Sequence, residues 1–485
     1  MKKEFNIMKN KAIICGIALL AVFQTGKAQT TGFYPNDVID VFNSYGNNFD
    51  GVGTARYLGM GESMGALGGD LSAVETNPAG LGIFKNSEAS VSLSVLSSGN
   101  KASMTDSYKR TDTNFNLPGA GFVLALGDDS EPLKFNIGAS YSYQSLDNEV
   151  YFPQNQNIRY LYPDVNGVDQ EYIFEGYEQY TSGYKSKTKF SIAANYQDKV
   201  YFGLGLDWHY LNIDRNVHYT HRNTVDGELL VFNEQFTPYS QSANGFGLSL
   251  GVLGKITPEI RLGLAYHSPV WWSDIGYDYI AYNTDKTGDI YRDRWYYDNY
   301  KNTAPGKIVV SGAYASNIIN DNNSLAFNID FINYFNKGIE FKGDTDYKIN
   351  NNFVSDYVQN SQEYRAGVEY RYKWLKLRTG YAHVSSPVKD KSIQGTFDLS
   401  SNGTYVKNYL AGEVNKFSVG VGYDLGPFFV DFAYQNSKTD YYTSLSGQFY
   451  NSGSDASIEL DNNIPLLGKV TNTQDNFVLT LGMRF

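Results

Sequence analysis

The chain has 485 residues and a formal net charge of −11, with 41 Tyr, 29 Phe and 47 Gly against 13 Pro. An acidic balance excludes a phosphate-backbone partner, which needs a basic face, so no nucleic-acid partner is expected. Abundant aromatics and Gly with little Pro favour strands over disorder. No apolar run of roughly 18 residues follows the N-terminus, which excludes a transmembrane helix there but not a barrel of alternating strands.

Residues 1–28 read as a secretory signal peptide. Lys9 and Lys11 form the basic flank, 12–23 the apolar core, and Gly26-Lys27-Ala28 the small residues ahead of a cleavage before Gln29. A short buried helix is the competing reading. The single cysteine, Cys15, falls in this segment, so the mature chain carries no disulfide, thiolate metal site or cysteine nucleophile.

Residues 29–58 are polar and aromatic without a clear period. Residues 59–86 (GMGESMGALGGDLSAVETNPAGLGIFKN) are rich in Gly and small side chains. Such a stretch folds compactly in a confined space, because Gly permits close backbone approach and positive φ. Residues 29–86 are therefore expected to form an N-terminal hatch, or plug, in the mouth of a barrel. Gly61-Glu62-Ser63-Met64-Gly65 matches G-x-S-x-G, but no strand precedes it as a nucleophile elbow requires. No catalytic residue is assigned, and the chain is not expected to be an enzyme.

From about residue 88 the apolar period is two. Val200, Phe202, Leu204, Leu206, Trp208 and Tyr210 form one row, with Gly203, Gly205, Asp207 and His209 between them. Ile260, Leu262, Leu264 and Tyr266 form another, around Arg261, Gly263, Ala265 and His267. The last row is Phe477, Leu479, Leu481, Met483 and Phe485, and its terminal Phe suits insertion by the outer-membrane barrel assembly machinery. About fourteen such segments occur, each near the roughly 9–11 residues a tilted strand needs to cross a bilayer. Short connections alternate with long ones near 147–186, 214–243, 270–305, 336–361, 386–413 and 438–474, as in membrane barrels. The fold class expected over 87–485 is thus all-β: a transmembrane antiparallel barrel of about fourteen strands, with both chain ends on the short-turn side and the long loops outside.

In this register His209, Arg261, His267, Arg365 and Arg378 point into the lumen as candidates for a ligand path. Pairing of lumen charges with one another or with the hatch is the default, since a buried unpaired charge is costly. Trp271, Trp272 and Trp295 in the outer loops are candidates for a capture surface; packing among the loops themselves is the alternative. His218 and His221 share one outer loop, but three-apart spacing does not place both on one side of a strand. No metal site and no cofactor are expected.

Leu58-Gly59-Met60-Gly61, Gly69-Asp70-Leu71-Ser72-Ala73 and Asn77-Pro78-Ala79-Gly80-Leu81 together resemble the N-terminal region of the FadL/OmpP1/TodX family of outer-membrane transporters. The motif covers about thirty residues, and the barrel layout covers the rest. The resemblance implies a fourteen-stranded barrel with an N-terminal hatch. It implies passive uptake of hydrophobic molecules: long-chain fatty acids, aromatic hydrocarbons or haem-like compounds, as in relatives labelled haemin receptors. By the same analogy ligand leaves sideways through a wall opening when the hatch shifts, and Asn77, Pro78, Ala79 and Gly80 serve gating. Some relatives are subunits of secretion machinery, so a structural or interaction barrel is the alternative. The implied partners are a hydrophobic small molecule, outer-membrane lipid and, during biogenesis, the assembly machinery, with the barrel itself a monomer in the Gram-negative outer membrane.

Overall fold

Residues alternating in polarity put apolar side chains on one sheet face and polar ones on the other. The computed structural model describes residues 41–42, 51–104, 107–127, 131–163, 167–233, 237–284, 290–317, 323–343, 347–393, 404–445, 448–450, 458–460 and 467–485. The signal expected over 1–28 lies outside the described residues, as do 29–40 and 43–50 of the expected hatch.

The staves of the barrel are β1 (Glu88–Ser103), β2 (Ser107–Leu126), β3 (Leu133–Ser145), β4 (Asp169–Tyr196), β5 (Val200–Asn223), β6 (Tyr239–Lys255) and β7 (Ile260–His267). They continue as β8 (Lys307–Asn317), β9 (Asn323–Tyr334), β10 (Ser361–Tyr372), β11 (Leu375–Val384), β12 (Val414–Leu425), β13 (Phe428–Ser444) and β14 (Leu467–Arg484). Each pairs antiparallel with the next, and β14 returns to β1 in a ladder from Glu88↔Arg484 to Ser103↔Lys469, closing a barrel of 14 strands. Tight turns join staves at one end. At one of them Gln197 and Asp198 both have positive φ, 53° and 55°, the backbone that a two-residue hairpin requires.

The faces are inside-out relative to a water-soluble protein. Leu262, Leu264 and Tyr266 of β7 are exposed, while Ala265 and His267 between them are buried. Phe477, Leu479, Leu481 and Met483 of β14 are likewise exposed, while Asn476, Val478 and Thr480 are buried. An apolar outer band around a polar interior is stable only with lipid as the outer solvent, so this is a transmembrane barrel of the outer-membrane type. No described helix is long and apolar enough to cross a membrane; the strands cross it.

The long connections are not simply loops. β4 has 28 residues and β5 has 24, far more than the roughly 9–11 that a bilayer needs. Their surplus, with the flanking strands Asn148–Pro163 and Leu229–Asn233, rises on the side opposite the tight turns. It encloses a core of Phe152, Tyr160, Phe174, Val217 and Val470. A bulge at Glu175 reverses the faces, since Phe174 pairs with His221 but Gly176 with Thr220. Phe190 and Ile192 face lipid, whereas Tyr172 and Phe174, of the same parity, are buried in the extension. His221 lies in this core, stacked on Tyr160 at 3.9 Å, and burial holds its pKa down at about 3. His218, on the other face, reaches Glu178, so the two histidines do not converge on one site.

A second core roofs the barrel. Strands Val270–Thr284 and Ile290–Ala304 and helix α2 (Lys348–Tyr357) meet around Trp272, Ile275, Phe341, Phe353 and Tyr357. Helix α1 (Ala55–Gly59) belongs to the N-terminal segment.

Candidate functional site

Residues 51–86 fold as three short turns, each begun by a side-chain cap. Thr54 caps α1 (Ala55–Gly59) by accepting from the Tyr57 amide. Asp70 caps the 3-10 turn Leu71–Glu75, and Asn77 caps the turn Pro78–Ile83, where Pro78 occupies a first-turn position that needs no amide donor. Thr54 also donates to Asp70 at 2.8 Å, tying the first two caps together.

The segment touches wall side chains around the circumference. The Ala55 amide donates to Thr480 of β14 at 2.7 Å, and the Gly65 amide to Asp330 of β9 at 3.2 Å. Asn136 of β3 donates to the carbonyl of Leu81 at 2.8 Å. Asn77 donates to the Val252 carbonyl of β6 while accepting from the Ala79 amide. Glycines on the wall make this contact possible. A Cβ at Gly203 would stand 2.2 Å from the Ala79 amide nitrogen, and one at Gly380 would stand 2.1 Å from that of Gly61.

Three ion clusters fix the segment further. Arg56 grips Glu369 with two bonds of 2.9 Å, and Glu369 also accepts from Arg378, which reaches on to Asp431 at 2.6 Å. Glu62 meets Arg365 at 3.4 Å, Lys416 at 3.3 Å and Gln435 at 3.1 Å. Arg365 is held in turn by Glu363 and donates to the Tyr57 hydroxyl and the Glu62 carbonyl. On the opposite wall Glu75 bonds Lys187, and Lys189 bridges toward Asp207 at 3.0 Å.

The lumen-facing candidates therefore divide. Arg365 and Arg378 are committed to ion pairs; His267 bonds the Thr76 carbonyl at 3.0 Å, and Arg261 donates to the Leu67 carbonyl at 2.8 Å. Three of these four touch the segment directly, and Arg378 acts through Glu369. His209 is fully buried, its ring 5.7 Å from that of Trp272. Trp272 is 1% exposed and sealed in the roof core, so it offers no open surface for a ligand. Trp271 faces outward and stacks on Phe246 at 6.4 Å. The Trp295 side chain lies outside the described residues.

Three features were not assigned from sequence. The acids Glu62, Asp70 and Glu75 anchor the segment. A cavity of about 350 Å³ is lined by residues of many staves together with Phe42, Leu410 and Ala411. The third is an irregularity in the wall. Across β1–β2 the register jumps between Ser92↔Gly119 and Ser94↔Asn116, and across β2–β3 between Leu117↔Tyr143 and Ala120↔Tyr141. Pro118, with no amide to donate, sits at the centre of both jumps. Behind it a cavity of about 50 Å³ is lined by Gly53, Thr54, Tyr57 and Ser72 of the segment and by Ser142, Lys187 and Lys307 of the wall. A Pro-Gly pair inside a strand-like run was the available signal.

No family model matches the chain, and no curated protein matches it. Solved structures do. The fold is similar to that of the Pseudomonas putida toluene transporter TodX, at TM-score 0.53 and 14% identity over 90% of this chain and 99% of that one. It is similar to a Pseudomonas aeruginosa FadL homologue at TM-score 0.53 and 13% identity, over 90% and 98% of the two chains. It is also similar to the CymD monoaromatic hydrocarbon channel at TM-score 0.51 and 13% identity, again over 90% and 98%.

Proposed function

The chain has the fold of the TodX- and FadL-type channels, and on that footing we propose that it carries small hydrophobic molecules passively across the outer membrane. Residues 29–86 act in this reading as a hatch, following an export signal over 1–28. The observation that carries the proposal is the pairing of a segment bonded to inward wall side chains with an irregularity in that wall. The axial route is occupied by a segment bonded all round the barrel, while the ladder is interrupted on both sides of Pro118, directly beside that segment. A molecule that leaves through this irregularity passes from the lumen into lipid beside Glu62, Arg365, Glu75 and Lys187, which line the small cavity behind it. Asn77–Gly80 keep the far side of the hatch on the wall, so the movement that opens the route belongs to residues 51–54.

A Cβ at Gly119 would stand 3.9 Å from Gly53, so a large side chain there wedges between wall and hatch. Radiolabelled toluene and oleate are the probes, measured in vesicles holding the purified full mature chain. Wild-type protein is expected to raise uptake above empty vesicles, and Gly119→Phe to cut that rise by about tenfold or more. Unchanged uptake in Gly119→Phe overturns the lateral route. The absence of any wild-type uptake favours the second reading, an interaction barrel of an envelope or secretion complex, which the dense bonding of the hatch also suits.

A further inference from the structure

The cavity lined by many staves is unlike a hydrocarbon pocket. Its volume is about 350 Å³, and uncharged polar side chains from many staves line it, among them Ser98, Asn100, Thr181, Thr439, Asn472 and Gln474. Asp147 and Arg215 are its only charged lining residues among those described. Part of the polar lining is fixed in place. Asn472 donates to Ser98 at 3.1 Å and to Asn100 at 2.7 Å, and Asn100 donates to Asn148 at 2.6 Å. The side chains of Thr181, Thr439 and Gln474 carry no protein hydrogen bond among the described residues. Thr181 is 9% exposed and lines the cavity. Apolar patches interrupt this surface at Phe42, Leu146, Ile213 and Leu410.

We propose that this cavity is a binding site for an uncharged amphiphile whose several hydroxyl or amide groups are carried on an apolar body. This rests on the transport reading and names the class of molecule that the lumen selects. A bare hydrocarbon placed here would strip water from hydroxyl and amide groups and return no hydrogen bond. A carboxylate would meet Asp147 in the same chamber as Arg215. A neutral polyol supplies both donors and acceptors, which matches a lining of Ser, Thr, Asn and Gln side chains that do both. Phe42 and Leu410 then cover its apolar part.

The test compares phenyl β-glucoside, benzoate and toluene, by calorimetric binding to the detergent-solubilised protein and by uptake into vesicles. The comparison variant is Thr181→Val/Thr439→Val/Gln474→Leu, which keeps side-chain volume and leaves every hatch contact in place. Wild-type protein is expected to bind the glucoside at least tenfold more tightly than benzoate or toluene. The triple variant is expected to lose that preference while it still carries toluene. Equal binding of the three probes by wild type, or an unchanged preference in the triple variant, overturns the assignment. Toluene uptake with no glucoside binding overturns the ligand class and leaves transport standing. Glucoside binding with no uptake of any probe supports the site and removes the transport reading.

Discussion

Arg378 is fully shielded from solvent and holds Glu369 and Asp431 at 2.6 Å each. Removing one partner of such a group leaves buried charge uncompensated, at a cost of about 3–5 kcal/mol. Arg378→Ala is therefore expected to lower the unfolding midpoint in denaturant strongly. The combination Arg378→Met with Asp431→Asn, which leaves the Arg56–Glu369 pair intact, is expected to recover most of the loss. Equal midpoints for wild type and Arg378→Ala would refute the bonding account. The inward direction of Arg365 and Arg378 was legible from parity along their strands. Their partners across the lumen were not: Glu62, which meets Arg365, lies some three hundred positions earlier, Asp431, which meets Arg378, lies 53 positions later, and pattern within a strand carries no information about charges that meet across a lumen. Trp272 shows the same limit from the other side. An aromatic in a polar connection reads as exposed, yet here it fills a core that many separated segments build together.

At the scale of elements, the membrane-crossing rows were readable because lipid imposes one rule on every stave. Phe202, Leu204 and Leu206 face outward in the order that strict alternation predicts. The tall extension was not readable. Beyond the membrane the apolar side chains turn inward, so the rule inverts, and a single residue, Glu175, makes the change while the even-numbered row runs on from Ile192 to Tyr172. Arg222 holds Glu175 on the outer face at 2.9 Å. Deletion of residue 175 makes the ladder regular and leaves Phe174 opposite His221 and Tyr172 opposite Asn223, both still inward. The expected result is an extension as resistant to trypsin as wild type. A deletion variant cut readily by trypsin would show that the bulge itself, and not the pairing beyond it, holds the extension.

Seen whole, the molecule is a closed cylinder with a polar interior, to which residues 51–86 are bonded at Thr480, Asp330, Asn136 and Val252. Without that segment Arg365, Glu363 and Lys416 would line an open, hydrated channel. Deleting residues 29–86 is therefore expected to produce stepwise ion conductance in planar bilayers where the full mature chain is silent. A silent deletion variant that is inserted and folded would mean that the roof alone blocks the lumen. The closed cylinder with short turns at one end was foreseeable from strand number and spacing. The polar chamber was not, because its lining draws one or two residues from each of many staves, and no stretch of chain displays it.

The seam between β1 and β14 carries a consequence for biosynthesis. The first stave cannot meet its neighbour until the last residues of the chain have been made, and the Ala55 amide and the Gly51 carbonyl take their bonds from that same final stave. The contents therefore take their final bonds only as the vessel is welded shut along the ladder from Glu88 to Ser103. Whatever holds the rim apart during insertion thus also sets when those bonds form.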